Sequence, residues 1–397
     1  MLKKMLFVMN NLSSGGAEKS LSSLLRNIDF SKYEVDLLLF KSGGIFFQDL
    51  PNKINILNEP EEYKFFDMSI KKAIKDSIKM GRADIAFLRA KASYIFRMEQ
   101  NKARCEQRAW KYVGATLKRM DKRYDVAIGY LEKSSIYYVI EKVNAKKKIG
   151  WIHTHYTNSG MDRKIDVPYF QQLDHIVTVS EECANSLYEN FEYLKPRIKV
   201  IKNIVSPTTI KALSKIEKNL LNFDPRYINI VTVARLSFEK GIDMAVESCK
   251  ILVNKGLKIK WYVIGFGNNT ELDEINKLIA QKDLKESFLL LGVHGNPYPY
   301  IKNADIYVQP SRYEGKSIAI DEAKILEKPI IVTNYSSAKD QIENNVNGMI
   351  VEMSAKCISE GINTLLKNKN KMDFFSKSLS KENLGTESEI KKLYEIS

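Results

Sequence analysis

Short runs of apolar residues, each followed by apolar positions at helical spacing, recur along the first half of the chain. Residues 5–9 form such a run, and a turn with two glycines separates it from Leu21, Leu24 and Leu25. This pattern predicts a buried strand, a glycine turn and a helix. Further strands are predicted at 34–40, 126–130, 148–153 and 176–179. Strands that alternate with helices indicate a parallel, doubly wound sheet.

The same alternation begins again after a polar stretch that ends near residue 227. Its predicted strands lie at 228–233, 259–264, 288–291, 306–309, 330–333 and 348–351. Because 397 residues are two to three times the usual length of one domain, we expect two α/β domains that meet near residue 206. The predicted ranges are 1–205 for the first domain, 206–375 for the second, and 376–397 for a helix that packs back on the first.

A basic helical segment, residues 71–123, interrupts the rhythm of the first domain. Its apolar residues recur in steps of three, four and seven, which are typical of amphipathic helices. Sixteen basic and five acidic residues give it a net charge of +11, most of the +14 of the whole chain. One interpretation is a solvated helix face. The other is attachment to an anionic membrane surface, with Phe87, Tyr94, Phe96 or Trp110 entering the interface.

Other features narrow the class of protein. Four isolated cysteines suggest neither a disulfide framework nor a zinc site, so a reducing cytoplasm is expected. The apolar run at residues 5–9 is too short for a signal peptide, and no run is long enough to span a bilayer. Nothing matches a nucleic-acid-binding module, so nucleic acid is not expected as a partner.

The turn after the first strand contains Gly15 and Gly16. Glycines at the start of a helix let backbone amides approach an anionic group, although many such turns carry glycines for packing alone. The turn departs from the G-x-G-x-x-G fingerprint, and no acidic residue ends the second strand. Contact with a phosphate is therefore expected, whereas a nicotinamide cofactor is not.

The second half carries a denser set of candidate residues. Arg235 follows a predicted strand and Lys240 comes five residues later, so both cations can converge on one anion such as a pyrophosphate. Taken singly, each can equally be a solvated surface cation. Gly265 and Gly267 end the next strand, where close backbone approach to a ligand is possible.

Two glutamates follow a later strand. Glu314 precedes Gly315, Lys316 and Ser317, and Glu322 lies further along on a predicted helix. Two carboxylates spaced along a cleft suit recognition of hydroxyl groups. The alternative is a surface helix whose dipole favours acidic residues near its N-terminus.

Together these motifs resemble the GT-B glycosyltransferases of family 4, the retaining glycosyltransferase group 1. The resemblance covers about residues 1–365 and implies two Rossmann-like doubly wound domains that face a central cleft. It implies that the second domain holds a nucleotide sugar. Arg235 and Lys240 then neutralise the leaving diphosphate, Glu314 meets the sugar, and Glu322 holds the ribose hydroxyls.

The resemblance implies further roles. Gly15 and Gly16 close over the diphosphate from the first domain, and the loop with Val293 contacts the base. His153, at the end of a predicted strand, lies near the reacting sugar, although His155 can occupy that role instead. A metal site is not expected at this histidine pair, because no third ligand is near in sequence. Gly315, Lys316 and Ser317 contact the donor, and Lys316 departs from the usual pattern, so it can influence donor choice.

The resemblance implies a retaining hexosyltransferase that needs neither metal nor cofactor, and the absence of an Asp-x-Asp motif from the sequence agrees with this. It moves a sugar from a nucleoside diphosphate, with UDP-sugar favoured, to a glycan acceptor. A lipid-linked acceptor in bacterial surface polysaccharide synthesis is expected, with the enzyme peripheral at the inner face of the cell membrane. The alternatives are a soluble or protein acceptor, and a non-catalytic sugar-binding subunit of the same fold.

Overall fold

The computed structural model describes residues 2–13, 15–216 and 223–397. It consists of two compact units. The first, here the N-terminal domain, comprises Met1–Lys202 and Glu389–Ser397. The second, here the C-terminal domain, comprises Asn203–Ser388.

The N-terminal domain contains a seven-stranded parallel sheet of order β3-β2-β1-β4-β5-β6-β7. Strand β1 lies inside this sheet, and five of its seven residues are buried, as expected of a strand with helices on both faces. The order turns at β1, which lies between β2 and β4. The strands are β1 Lys3–Met9, β2 Tyr33–Leu39, β3 Asn55–Ile56, β4 Arg123–Gly129, β5 Asn144–Ile152, β6 His175–Thr178 and β7 Ile198–Val200.

Helices cover this sheet and contribute to its core. Trp110, Tyr137 and Phe170 are among its largest fully enclosed side chains. The helices between β1 and β7 are α1 Gly16–Arg26, α2 Lys64–Asp67, α3 Ile70–Lys79, α4 Ala83–Met98, α5 Lys102–Thr116, α6 Ser134–Lys142, α7 Arg163–Phe170 and α8 Glu181–Asn190.

The C-terminal domain repeats the architecture with a six-stranded parallel sheet of order β10-β9-β8-β11-β12-β13. The strand order turns at β8, between β9 and β11, which places the crevice that binds ligands in doubly wound folds at the carboxyl ends of β8 and β11. The strands are β8 Ile228–Val233, β9 Ile259–Ile264, β10 Phe288–Gly292, β11 Ile306–Gln309, β12 Ile330–Thr333 and β13 Met349–Val351. The helices are α9 Pro207–Leu213, α10 Ile242–Asn254, α11 Asn269–Gln281, α12 Tyr298–Asn303, α13 Ile318–Ile325, α14 Ala355–Lys367 and α15 Lys369–Ser380.

The C-terminal tail forms two helices rather than one. α15 belongs to the C-terminal domain, whereas α16, Ile390–Ile396, belongs to the N-terminal domain. In the N-terminal domain, the Tyr394 ring stacks on Tyr33 with centroids 4.9 Å apart, and the Asp29 N–H donates to the Tyr394 hydroxyl at 2.8 Å. Gly385 and its polar neighbours separate the two helices, because such a stretch favours a turn over a continued helix.

The basic segment folds into α3, α4 and α5. Ile85 and Ala92 are fully buried, as their spacing predicts, whereas Ile78, Phe87 and Tyr94 are exposed. The prediction that Trp110 can enter a membrane interface is wrong, because its side chain packs inside the core of the N-terminal domain. Among residues 2–13, 15–216 and 223–397, no helix combines the length and the apolar character needed to cross a membrane.

Candidate active site

The C-terminal domain brings the loops after β8 and β11 together. Arg235 lies two residues beyond β8, and Lys240 ends a short 3-10 helix, Phe238–Lys240, that leads into α10. The next residue, Gly241, has φ 65°, and a Cβ added there would lie 1.9 Å from the Pro310 carbonyl oxygen. Glycine is therefore required at this position, because the two loops touch through their backbones.

This contact places Lys240 against Glu314. The Lys240 Nζ donates to Glu314 Oε2 at 2.6 Å, while Ser311 Oγ and Gln309 Nε2 donate to Oε1 at 2.8 and 3.2 Å. The side chains of Lys240 and Glu314 are 17% and 7% exposed. Two predicted site residues thus form one partly enclosed ion pair, whose carboxylate accepts three hydrogen bonds.

Arg235 stands apart from that pair. Its side chain is exposed, and it forms no ion pair with any residue that the structure describes. A guanidinium in this state is free to bind an anion at the carboxyl edge of the sheet.

Arg312 holds the β11 loop in place, and sequence reasoning assigned it no role. Its guanidinium binds Asp243 through two hydrogen bonds, 2.8 and 2.6 Å long, and lies 4.0 Å from the centre of the Phe238 ring. The Arg312 N–H also donates to the Glu239 carbonyl at 2.7 Å. The hydrogen bonds that Arg312 donates to the Asp243 carboxylate raise the pKa of Arg312. These contacts fix the loop on which Glu314 lies.

Glu322 lies within α13, as the sequence predicts, and is almost fully buried. The Tyr298 hydroxyl donates to Glu322 Oε1 at 2.9 Å. At the start of α13, Gln341 Oε1 accepts from the Ser317 N–H at 2.9 Å, and Gln341 Nε2 donates to the Ser317 carbonyl at 2.7 Å. Sequence reasoning missed Tyr298 and Gln341, which position predicted residues.

Lys316 also has a partner in its own domain. Its Nζ lies 3.4 Å from Asp321 Oδ2, and the two side chains are 10% and 14% exposed. The charge that distinguishes this position is therefore partly balanced by a neighbouring carboxylate. Gly315, between Glu314 and Lys316, belongs to the same loop.

The glycines at the end of β9 have a packing reason. A Cβ added at Gly265 would lie 1.8 Å from the Ala234 carbonyl oxygen, and one at Gly267 would lie 2.8 Å from the Leu236 Cβ. The loops after β8 and β9 thus pack tightly without a ligand. Val293 follows β10 and is exposed, which is compatible with contact to a planar base.

In the N-terminal domain, Gly15 precedes α1 and Gly16 is its first residue. A Cβ added at Gly16 would meet no atom within 4 Å, so packing does not require a glycine there. Packing within this domain therefore does not explain the glycine at this position.

His153 directly follows β5. The ring Nε2 of His153 lies 3.1 Å from the Tyr130 carbonyl oxygen, and the backbone N–H of His153 donates to Glu132 Oε2 at 3.3 Å. Burial lowers the pKa of His153 to about 4, so the ring is neutral at pH 7. His155 instead lies 3.6 Å from Glu182, and its buried Nδ1 has no hydrogen-bond partner in the described part of the chain.

Comparisons with known proteins find similarity in sequence and in fold. Residues 214–381 match the sequence profile of the family described as "Glycosyl transferases group 1". Over 203 residues the chain is 28% identical to the capsular polysaccharide biosynthesis glycosyltransferase CapM of Staphylococcus aureus. This aligned segment covers 46% of the chain and 53% of CapM. It is 25% identical over 199 residues to the Campylobacter jejuni N-acetylgalactosamine-N,N'-diacetylbacillosaminyl-diphospho-undecaprenol 4-alpha-N-acetylgalactosaminyltransferase. The aligned segment covers 50% of this chain and 52% of that protein.

The chain spans about half or less of the length of the curated relatives that it matches. Among solved structures, Anabaena HepE in complex with UDP and glucose superposes with a TM-score of 0.71 at 13% identity, over 99% of this chain and 98% of HepE. The predicted fold is confirmed: two Rossmann-like parallel-sheet domains of the GT-B type. The profile match and the relatives also support the predicted link to glycosyltransferase group 1.

Proposed function

We propose that this GT-B protein transfers a sugar from a nucleoside diphosphate donor, with UDP-sugar favoured, to a hydroxyl group of a glycan acceptor. The observation that carries the proposal is that the Lys240–Glu314 pair and exposed Arg235 lie on the loops at the carboxyl edge of the C-terminal sheet. Two cations and a carboxylate at such an edge suit a diphosphate and the sugar attached to it.

In the proposed reaction, Arg235 and Lys240 neutralise the diphosphate as its bond to the sugar breaks. Fixed cations stabilise developing negative charge without the need for a bound metal ion. Lys240 already contacts Glu314, so the donor shares this cation with the carboxylate that receives the sugar hydroxyls. Backbone amides at Gly15 and Gly16 supply further hydrogen bonds from the N-terminal domain.

Recognition of the nucleoside falls to the loop after β10 and to α13. Glu322, oriented by Tyr298, accepts hydrogen bonds from the ribose hydroxyls, and the Val293 loop contacts the base. Gly315 and Ser317 contribute backbone contacts to the donor. Lys316 adjusts donor choice through a cation that Asp321 partly balances, and an unchanged donor profile in Lys316→Ala would contradict that role.

His153 is assigned to the reacting sugar. Because burial lowers its pKa to about 4, it acts as a neutral hydrogen-bonding ring rather than as a cation. The acceptor hydroxyl attacks from the face that the diphosphate leaves, so the anomeric configuration is retained.

The acceptor is proposed to be a lipid-linked glycan of bacterial surface polysaccharide synthesis, bound by the N-terminal domain. The names of two relatives support this, since one contains a capsular polysaccharide and the other a diphospho-undecaprenol. The basic segment exposes Phe87 and Tyr94 and carries sixteen basic residues. Such a surface suits anionic headgroups at the inner face of the cell membrane. Equal flotation with anionic and with neutral liposomes would contradict this location.

The test is a transfer assay with a panel of radiolabelled UDP- and GDP-sugars and a bacterial extract of polyprenyl-diphosphate glycans. Wild-type protein should label the lipid fraction, and Arg235→Gln or Lys240→Met should abolish labelling. Lys258→Gln is the matched control, since it removes an exposed cation from the same domain. Labelling of soluble glycans or protein alone would favour the other acceptor class. Labelling that survives both site variants would contradict the assigned site, and no turnover of any donor would favour a sugar-binding subunit.

A further inference from the structure

Arg89, on α4, is an enclosed cation without an acidic partner. It is 7% exposed, and its Nε and Nη2 donate to the carbonyls of Phe65 at 2.7 Å and Met68 at 2.9 Å. Its Nη1 donates to Ser93 Oγ. No carboxylate of residues 2–13, 15–216 or 223–397 forms an ion pair with it, and burial is the cause that lowers its pKa. A guanidinium stays charged in proteins, so its enclosure without a counter-charge is unfavourable unless an anion joins it.

Arg89 opens onto a cavity of about 490 Å³. Ser93 and Arg97 also line this cavity, and successive steps of four residues place all three on one face of α4. The rest of the lining is Phe66, Ile70 and Phe96, so two arginines and no acidic residue line the cavity. Arg97 is exposed and has no ion-pair partner among the side chains that the structure describes.

A second cavity, of about 550 Å³, shares Phe66 and Phe96 with the first. It extends to Asn10, which follows β1, and to Ser134, which begins α6 after β4. It therefore reaches the carboxyl edge of the N-terminal sheet at its switch point. Glu106, which lines it, accepts from Ser134 Oγ at 2.6 Å. Carboxylate, amide and aromatic groups of this kind suit a hydroxyl-rich glycan.

A different face of α4 is apolar and exposed. Phe87, Tyr94 and Met98 recur there in steps of seven and four, and each side chain is more than half exposed. One helix thus carries an arginine-lined cavity and an exposed apolar face, and the cavity adjoins a carboxylate-lined one. These three surfaces match, in kind, a glycan, a phosphate ester and a hydrocarbon chain.

We infer that the cavity of Arg89, Ser93 and Arg97 binds the phosphate ester group that joins the glycan acceptor to its lipid. The inference rests on the proposed function for the lipid-linked nature of the acceptor. Guanidinium groups bind phosphate oxygens through paired, charge-assisted hydrogen bonds, and Arg89 is held by two carbonyls and a hydroxyl in a fixed orientation. A phospholipid headgroup offers the same phosphate chemistry, so the experiment separates the two sources.

The test measures binding of farnesyl diphosphate, a short isoprenoid diphosphate, by calorimetry. The full-length chain carries Arg235→Gln, which removes one cation of the proposed donor site. Arg97→Gln is the test variant, since removal of Arg89 would also break two contacts to the backbone. The matched control is Lys91→Gln, which removes an exposed cation of α4 that does not line the cavity. Arg97→Gln should raise the Kd about tenfold or more, as expected for a lost charge-assisted hydrogen bond, and Lys91→Gln should leave it within about twofold.

Flotation with phosphatidylglycerol vesicles supplies the second arm. Arg97→Gln and Lys91→Gln should weaken vesicle binding equally, because each removes one surface cation. If Arg97→Gln alone loses vesicle binding and keeps its affinity for farnesyl diphosphate, the cavity binds headgroups and the inference is overturned. Equal Kd values for all variants would also overturn it, even if sugar transfer is observed. Conversely, diphosphate binding that depends on Arg97 would stand even if no nucleotide sugar were turned over.

Discussion

Replacing Lys240 with methionine should destabilise the C-terminal domain even without a ligand. The change removes the donor at 2.6 Å from Glu314 and leaves a carboxylate that is only 7% exposed, with Ser311 and Gln309 as its hydrogen-bond partners. Exposed ion pairs contribute about 0–1 kcal/mol, whereas loss of one partner of a buried pair costs about 3–5 kcal/mol. The partial exposure of Lys240 places this pair between the two limits, at about 2 kcal/mol.

For a domain of this size, about 2 kcal/mol corresponds to a decrease in Tm of roughly 4–8 °C. Differential scanning calorimetry on the full chain measures it. Lys258→Met makes the same replacement at an exposed lysine with no described ion pair and should leave Tm within about 1 °C.

The double variant Lys240→Met with Glu314→Gln removes both charges together. It should recover most of the lost stability, since no buried charge is left without its partner. An unchanged Tm in Lys240→Met would refute this reasoning. It would mean that water already balances Glu314 and that Lys240 is available to a donor without competition.

Three further changes test individual features. Gly16→Ala should leave the Tm unchanged or raise stability by about 0.4–1 kcal/mol, because a Cβ at this position meets nothing within 4 Å. The same variant should lower the transfer rate if a diphosphate approaches this backbone, and an unchanged rate would contradict that contact. Gly265→Ala should destabilise the C-terminal domain by about 1–3 kcal/mol, because its Cβ would lie 1.8 Å from the Ala234 carbonyl oxygen. Urea unfolding measures this change, with Gly295→Ala as the control because open space surrounds Gly295. Equal unfolding midpoints for the two variants would refute the packing role of Gly265. The unfolded chain binds a proton at His153 near pH 6.5 and the folded chain only near pH 4, so stability falls as pH falls between these values, by about 2–3 kcal/mol from pH 7 to pH 4.5. His153→Asn should lose this part of the pH dependence, and an unaltered slope would contradict the lowered pKa.

The sequence predicts the fold well because the doubly wound pattern is periodic and local. The strands at 228–233, 259–264 and 306–309 coincide with β8, β9 and β11. The strands that it misses, β3 and β7, have only two and three residues and lie at the edges of the sheet. So short a segment carries no recognisable alternation, and its pairing is decided by neighbours distant in the chain.

The site is predictable residue by residue but not as an arrangement. Lys240 and Glu314 are separated by 74 positions, and their pairing depends on the backbone contact between Gly241 and Pro310. Arg312, which fixes that contact, stands in the same motif as Glu314 without any signal of its own. Spacing along the chain does not reveal which side chains compensate one another's charge.

Buried charge in the N-terminal domain was the least predictable feature. Arg89 counts in the sequence as one of sixteen cations of a basic segment, whereas the structure encloses it. Asp166 is fully buried and accepts hydrogen bonds from the hydroxyls of Tyr137 and Tyr156, and burial raises its pKa. Neither residue lies in a motif, because burial is set by the packing of α4 on α2 and α3, and of α6 on α7, rather than by local pattern.

The central claim, that the C-terminal domain binds the diphosphate of a nucleotide sugar, is tested most directly by calorimetric titration of the full chain with UDP and with GDP. We expect UDP to bind, Arg235→Gln to raise the Kd for UDP about tenfold or more, and Lys258→Gln to leave that Kd unchanged. Absence of binding by either nucleotide, or equal affinity in Arg235→Gln and wild type, would contradict it.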